Sequence, residues 1–172
     1  TIALEILKSR IFVQNFINNR DILVPLMASK DWDLNNNELI LDPEIYDPIN
    51  KKWLRKPSAK KKSKPSLQEA YALWMNETFS SSKNIKNGLV YITILHVSPN
   101  ISQQWAVWLI EDLNKYMRES DVNEAELSIE YLTKEVKKTN SEELKSLFFK
   151  LIQSNTETKM LAYSRSDYVF RV

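Results

Sequence analysis

From Asn100 to Val172 the chain contains neither proline nor glycine, so nothing in this stretch interrupts a helix. Ser98 and Pro99 come directly before it, as a helix cap and a first-turn proline. Apolar residues then recur every three or four positions, at Ile101, Trp105, Leu109, Leu113 and Met117, and again at Ala125, Ile129, Leu132 and Val136. The pattern predicts one helix over about 99–139, roughly 60 Å long.

A second helix is predicted to follow at once. Asn140 and Glu143 have the spacing of a capping box, which favours a helix over about 141–163. Its inward face is predicted to carry Leu144, Phe148, Leu151 and Ile152. Tyr168–Val172 is predicted to close the chain as a strand.

The first half of the chain has shorter elements. Helical spacing over 1–18 predicts one helix, and Asp21 is predicted to cap a short helix over 22–28. Residues 32–54 are polar and contain two prolines, which predicts mostly loop with short elements. Ser66 and Glu69 form a capping-box pattern that begins a helix over about 67–79.

The apolar run Leu89–Leu95 is the clearest strand in the sequence. Because it is apolar on both faces, it is predicted to be a central strand. We expect Leu89–His96 to pair with Tyr168–Val172. The predicted fold class is α+β: a small mixed sheet with packed helices, a long helix and an antiparallel return helix. The base would comprise residues 1–98 and 164–172, and the hairpin residues 99–163.

Positive charge is concentrated in one segment. Lys51–Lys64 contains eight basic residues and no acidic one, although the whole chain carries only +2. The rest therefore holds 16 basic and 22 acidic residues, a balance of −6. Such a run predicts a solvated loop, poorly ordered over Lys56–Lys64. The residues of this segment that could contact an anionic surface are Lys60, Lys61, Lys62 and Lys64. A nucleic-acid partner is not predicted, because Trp53 is the only aromatic residue in the segment on which a base could stack.

Composition argues against most catalytic sites. Gly88 is the only glycine, which excludes a P-loop or a dinucleotide fingerprint. Cysteine is absent, and the single histidine, His96, is predicted to satisfy polar groups at the end of a strand. The carboxylates of the long helix fit its solvated face. We predict no catalytic residue, no metal or cofactor site, and no enzymatic activity.

The long helix is apolar on more than one side near its start. Ala106, Val107, Trp108 and Ile110 widen the apolar surface beyond a single stripe. Such a surface is typical of an interface, so Trp108 and Val107 are the candidate contacts between subunits.

Several segments, in their order along the chain, resemble one known family. They are Ile2–Arg10 with Phe12, Phe16 and Ile17; Pro65–Tyr71; Gly88–Ile92; His96–Pro99 with Trp105; Leu113-Asn114; Ala125; Ser128–Leu132; Met160–Ala162; and Tyr168–Phe170. Together they resemble the periplasmic domain of Wzz-type polysaccharide chain-length determinants, also called polysaccharide co-polymerases. The resemblance covers nearly the whole chain, although the lysine-rich segment 51–64 has no counterpart in the family pattern.

The resemblance implies a periplasmic domain held in the bacterial inner membrane by two flanking helices outside this sequence. We accordingly expect a piece of a longer protein, with Thr1 and Val172 close together. Members of the family form homo-oligomeric rings and set the chain length of surface polysaccharide such as O-antigen lipopolysaccharide. The implied partners are a separate polymerase and the lipid-linked glycan, and no catalytic residue is implied.

Two other functions remain open from the sequence. A helical-hairpin adaptor of an envelope export complex would share the long helix but would bind unlike partners. A hydrolase of envelope glycan would need a pair of acidic residues in contrasting environments, which the sequence does not display.

Overall fold

A computed structural model describes residues 2–165 and 167–170. The fold class is α+β, as predicted. The elements in chain order are α1 (Ile2–Lys8), α2 (Arg10–Asn19), α3 (Leu23–Met27), β1 (Ser29–Asp33), β2 (Glu38–Leu41), β3 (Tyr46–Asp47), β4 (Lys52–Trp53), α4 (Leu67–Leu73), a π-turn (Trp74–Thr78), β5 (Phe79–Lys83), β6 (Val90–Ile94), α5 (Pro99–Lys138) and α6 (Glu142–Ser164). The chain forms two compact units, Thr1–Leu109 and Ile110–Val172, whose boundary falls inside α5.

The first predicted helix is in fact two helices. The chain breaks at Ser9, whose hydroxyl accepts a hydrogen bond from the Phe12 amide at 3.3 Å and caps α2. The Tyr71 hydroxyl donates to the Lys8 carbonyl at 2.9 Å and so satisfies the end of α1. Apolar spacing could not reveal this break, because the periodicity continues through it while the serine competes for the backbone.

The predicted mixed sheet is wrong: the described residues form three separate two-stranded antiparallel sheets, β1–β2, β3–β4 and β5–β6. Three of these strands, β2, β3 and β4, lie in the segment that was predicted to be mostly loop with short elements, and β1 ends in it. They are short, and their pairing depends on turns rather than on an alternating apolar pattern. Asp21 does not cap α3 either, because it adopts a left-handed conformation with φ of 50° and Ile22 precedes the helix.

The strand β6 is not a central strand. It pairs with β5 from Phe79 opposite Ile94 to Lys83 opposite Val90, and Tyr91 is exposed to solvent. The predicted pairing of Leu89–His96 with Tyr168–Val172 is therefore wrong over the described residues, since Tyr168, Val169 and Phe170 are not in a strand. Thr1, Arg171 and Val172 lie outside the described residues, and with them the predicted neighbouring termini.

An aromatic cluster forms the core of the first unit. Trp74, in the π-turn, contacts Phe16 of α2 at 5.3 Å between ring centroids, Phe79 of β5 at 6.2 Å and Trp105 of α5 at 5.8 Å. Trp74 and Trp105 are almost completely buried. Each such pair contributes about 0.5–1.5 kcal/mol beyond the buried area alone. The cluster therefore holds the start of α5 against α2 and β5.

In the second unit, α6 runs antiparallel to α5, as predicted. The ammonium of Lys159 pairs with Glu126 at 2.5 Å, and the Arg118 guanidinium donates to the Arg165 carbonyl at 2.8 Å, so later residues of α6 meet earlier residues of α5. Ser141 caps α6 by accepting from the Leu144 amide. The predicted stripe of α5 is buried in this unit at Leu113, Ala125 and Leu132.

The segment after α6 is fastened to α5 by one amide side chain. Asn114 is 7% exposed, and its Oδ1 accepts from the amides of Val169 at 2.8 Å and Phe170 at 3.1 Å. Its Nδ2 donates to the Phe170 carbonyl at 3.2 Å. The Tyr168 hydroxyl also donates to Asp121 at 2.6 Å, which raises the pKa of the tyrosine. The Asn114 side chain thus makes hydrogen bonds to the backbone of this segment, where a neighbouring strand was predicted to make them.

Replacing Asn114 should release this segment. Asn114→Ala leaves two amides and one carbonyl without their partner, so the free energy of unfolding should fall by about 1–3 kcal/mol. Urea unfolding measures the change, and Asn123→Ala, at an exposed position of the same helix, is the matched control. Equal effects of the two substitutions would contradict the assignment.

Candidate interaction surfaces

His96 has a structural position. Its Nδ1 accepts from the Ser98 amide at 3.1 Å, and its Nε2 lies 3.0 Å from the Pro25 carbonyl and 3.1 Å from the Ser29 hydroxyl. This arrangement fits a neutral ring with its hydrogen on Nε2. The ring edge also packs against Trp105. His96 therefore links the middle of α3, the start of β1 and the start of α5, in agreement with the prediction that it satisfies polar groups.

Neither a metal cluster nor a membrane span is found in the part of the chain that the structure describes. No group of three or more histidine, cysteine, aspartate or glutamate side chains there could hold a metal ion. Over residues 2–165 and 167–170, no helix has both the length and the apolar character needed to cross a membrane. The absence of a catalytic site stays a prediction.

The lysine-rich segment is tied to α4 through Arg55. The guanidinium forms a two-pronged ion pair with Glu69, at 2.7 Å from Nη1 and 3.3 Å from Nη2, and its Nε donates to the Lys62 carbonyl at 3.1 Å. A second link joins Ser58 and Lys61, whose backbones exchange hydrogen bonds. The segment therefore has internal structure that composition did not predict, and one of its eight positive charges is neutralised by Glu69.

Glu69 has two roles at this point. It completes the predicted capping box of α4: the Ser66 hydroxyl accepts from the Glu69 amide, and the Glu69 carboxylate accepts from the Ser66 amide. It also binds Arg55, and this hydrogen bond is the main reason that the pKa of Glu69 falls from 4.5 to about 2. The helix cap and the loop anchor thus share one carboxylate.

The predicted contact residues Lys60, Lys61, Lys62 and Lys64 are all exposed to solvent. The structure brings them together on the segment that Arg55 fastens at Lys62. Their contact with an anionic surface stays a prediction, as does the expected mobility of Lys56–Lys64.

Three hairpin turns present aliphatic side chains that the sequence analysis missed. Leu34, Ile49 and Ile85 lie in the turns of β1–β2, β3–β4 and β5–β6, and they are 82%, 89% and 95% exposed. Each turn begins with a side chain that accepts backbone amides, and each ends four residues later with positive φ. The accepting side chains at the start of the turns are Asp33, Asp47 and Asn84. The residues with positive φ at their ends are Asn37, Lys51 and Gly88. The repeated spacing was the available signal: Asp-x-x-Asn in the first two turns and Asn-x-x-Asn in the third.

The candidate subunit contacts Trp108 and Val107 differ in their surroundings. Val107 is 47% exposed. Trp108 is half-buried, and the guanidinium of Arg20 lies over its ring, 5.0 Å from the centroid. Cation–π contacts of this kind contribute about 0.5–1 kcal/mol. Trp108 therefore has a partner within its own unit, while its role between subunits stays a prediction.

The helix α6 leaves most of its apolar residues uncovered. Ala162 is its only buried residue among those described. Phe148 and Ile152 are half-buried, as an inward face would be, but Leu144 and Leu151 remain more than 40% exposed, contrary to the prediction for them. Leu147 lies between them at helical spacing and is 49% exposed. Single exposed leucines are ordinary, but an aligned stripe of three indicates a contact surface.

Comparison of the chain with protein-family models, with curated proteins and with solved structures found no match in any of the three.

The Arg55–Glu69 pair should make stability depend on pH. The folded pKa of Glu69 lies below its unfolded value, so the pair stabilises fully above pH 4.5 and is lost as the pH falls toward 2. Glu69→Gln should lower the free energy of unfolding by about 1–2 kcal/mol at pH 7, and the gap from the parent should narrow below pH 4.5. Denaturant unfolding across this range tests it, with the exposed Glu77→Gln as control. A gap that does not change with pH would refute the role of the carboxylate.

Proposed function

We propose that this chain is the periplasmic domain of a Wzz-type regulator of surface polysaccharide chain length in the bacterial inner membrane. The order of segments that resembles this family supports the proposal, and so does the α+β fold with its long helix and return helix. The protein acts as a homo-oligomeric scaffold for the polymerase or for the lipid-linked glycan. It forms and breaks no glycosidic bond.

The stripe Leu144, Leu147 and Leu151 carries this proposal. In a monomer, side chains at this spacing expose a continuous apolar strip along α6. A neighbouring subunit of the same kind covers such a strip when the contact repeats around a closed ring. The stripe thus supports an assembly of like subunits along their helices, with Val107 and Trp108 as a second contact nearer the start of α5.

A ring of this kind can influence chain length without catalysis. Several identical surfaces held in one assembly raise the effective concentration of whatever binds them, here the polymerase or the growing glycan. The number of elongation steps then depends on how long the assembly retains the chain. Loss of assembly should therefore alter the length distribution rather than abolish synthesis.

Deletion of the parent gene tests the function directly. Surface polysaccharide separated on a gel should lose its preferred length while polymer is still made, and the intact gene should restore it. Unchanged lengths with a loss of export would instead support the adaptor of an envelope export complex. Accumulation of uncleaved envelope glycan would support the hydrolase.

Assembly can be tested at the two contacts separately. Leu147→Glu with Leu151→Glu should dissociate the membrane-anchored protein in a sedimentation experiment, because buried charges would face the neighbouring subunit. Ser146→Glu with Ser154→Glu adds the same charge at exposed positions of α6 and should leave the assembly intact. If both double variants assemble like the parent, the stripe is not an interface.

Trp108→Ala requires a thermal melt beside the sedimentation experiment. Loss of the Arg20 contact should lower the melting temperature modestly, whereas loss of a subunit contact should weaken assembly by roughly 2 kcal/mol. Val107→Asp probes the same surface from an exposed position, so its folding should change little. A variant that melts far below the parent yet assembles normally would place Trp108 in the core alone.

A further inference from the structure

An exposed apolar turn and the lysine-rich segment are adjacent in the first unit. Ile49 lies in the β3–β4 turn and is 89% exposed, and the positively charged segment begins two residues later at Lys51. Leu54, directly after β4, is 45% exposed. Aliphatic side chains beside several lysines are the combination by which proteins bind to the surface of a charged bilayer.

The turn that presents Ile49 is well defined. The Asp47 carboxylate accepts from the amides of Ile49 at 2.9 Å and Asn50 at 3.2 Å, and the Asn50 side chain donates to its other oxygen at 2.6 Å. These bonds hold the pKa of Asp47 below its usual value. Because the turn is fixed before any contact, little ordering entropy is lost when Ile49 is buried.

The backbone that carries the lysines is held at two points. Arg55 ties Lys62 to Glu69, and the Ser58–Lys61 hydrogen bonds close the turn between them. The remaining basic residues of the segment are all exposed: Lys51, Lys52, Lys56, Lys60, Lys61, Lys62 and Lys64. No acidic residue lies within the segment to compete with an outside anion.

The geometry disfavours two other anionic ligands. Single-stranded nucleic acids stack successive bases on several aromatic side chains, but Trp53 is the one aromatic residue between Lys51 and Lys64. A single phosphate is best held by a guanidinium fork, and the fork of Arg55 is occupied by Glu69. What remains is a set of dispersed point charges, which suits an extended anionic surface.

We propose that the segment Ile49–Lys64 docks on an anionic lipid bilayer, with Ile49 and Leu54 entering the headgroup region and the lysines contacting lipid phosphates. The inference rests on the proposed function in one respect: a domain held at the inner membrane lies close to a bilayer. Binding of lipid by the isolated chain can be measured whether or not the protein regulates a polysaccharide.

Co-sedimentation with vesicles tests the proposal. The parent should bind vesicles of phosphatidylcholine that contain phosphatidylglycerol, bind pure phosphatidylcholine weakly, and be released by high salt. Substituting Lys60, Lys61, Lys62 and Lys64 by glutamine should weaken binding at least about 100-fold if each contacts the surface. The matched control replaces Lys115, Lys134, Lys137 and Lys138 of α5 by glutamine, which changes the net charge equally.

The apolar contribution has its own variant. Ile49→Ser removes an exposed side chain, so folding should be unaffected while binding to the anionic vesicles falls severalfold. Circular dichroism verifies the fold of each variant.

Three outcomes would overturn the proposal. One is equal loss of binding for the two lysine variants, which would mean that only net charge matters. Another is displacement from the vesicles by millimolar inorganic phosphate, which would indicate a site for a single anion. The third is binding to single-stranded RNA or to polyphosphate without binding to vesicles. Vesicle binding with unaltered polysaccharide length in the deletion strain would refute the proposed function and leave lipid docking intact.

Discussion

The contact between Trp74 and Trp105 is the interaction on which the first unit depends. Trp74 belongs to a π-turn that converts α4 into β5 without an intervening loop, and Trp105 lies in the second turn of α5. The two indoles join parts of the chain that are far apart in sequence, with Phe16 completing the cluster from α2. The Ser98 cap and the His96 hydrogen bonds position the same end of the long helix, and the Ser102 hydroxyl donates to the Ile94 carbonyl at 2.6 Å.

Much of the helical structure could be predicted, because its signals are local. The spacing of the apolar residues predicted the end of α5 to within one residue, and the Ser66–Glu69 spacing predicted the cap of α4. The break at Ser9 and the π-turn were missed, since both keep the apolar period while changing the hydrogen bonding. The sheets were missed because strands of two to five residues are specified by their turns and partners.

The candidate surfaces were predictable only in part, for a related reason. Composition located the lysines, and periodicity located Trp108, since both are properties of single segments. The Arg55–Glu69 pair joins residues 14 positions apart, and the Arg20–Trp108 contact joins residues much farther apart. Such partners depend on the tertiary fold, so the sequence could show that the charges exist but not that one of them anchors the others.

The scarcity of glycine leaves non-glycine residues in the left-handed positions of two hairpin turns. Three hairpin turns end in a left-handed residue, yet only one of those residues is Gly88; the others are Asn37 and Lys51. A lysine in this conformation costs free energy that a glycine would not. Asp47 offsets the cost by fixing the turn, and the same turn holds Ile49 in solvent. Ile49 and the lysines that follow it therefore form a surface that is both apolar and positively charged.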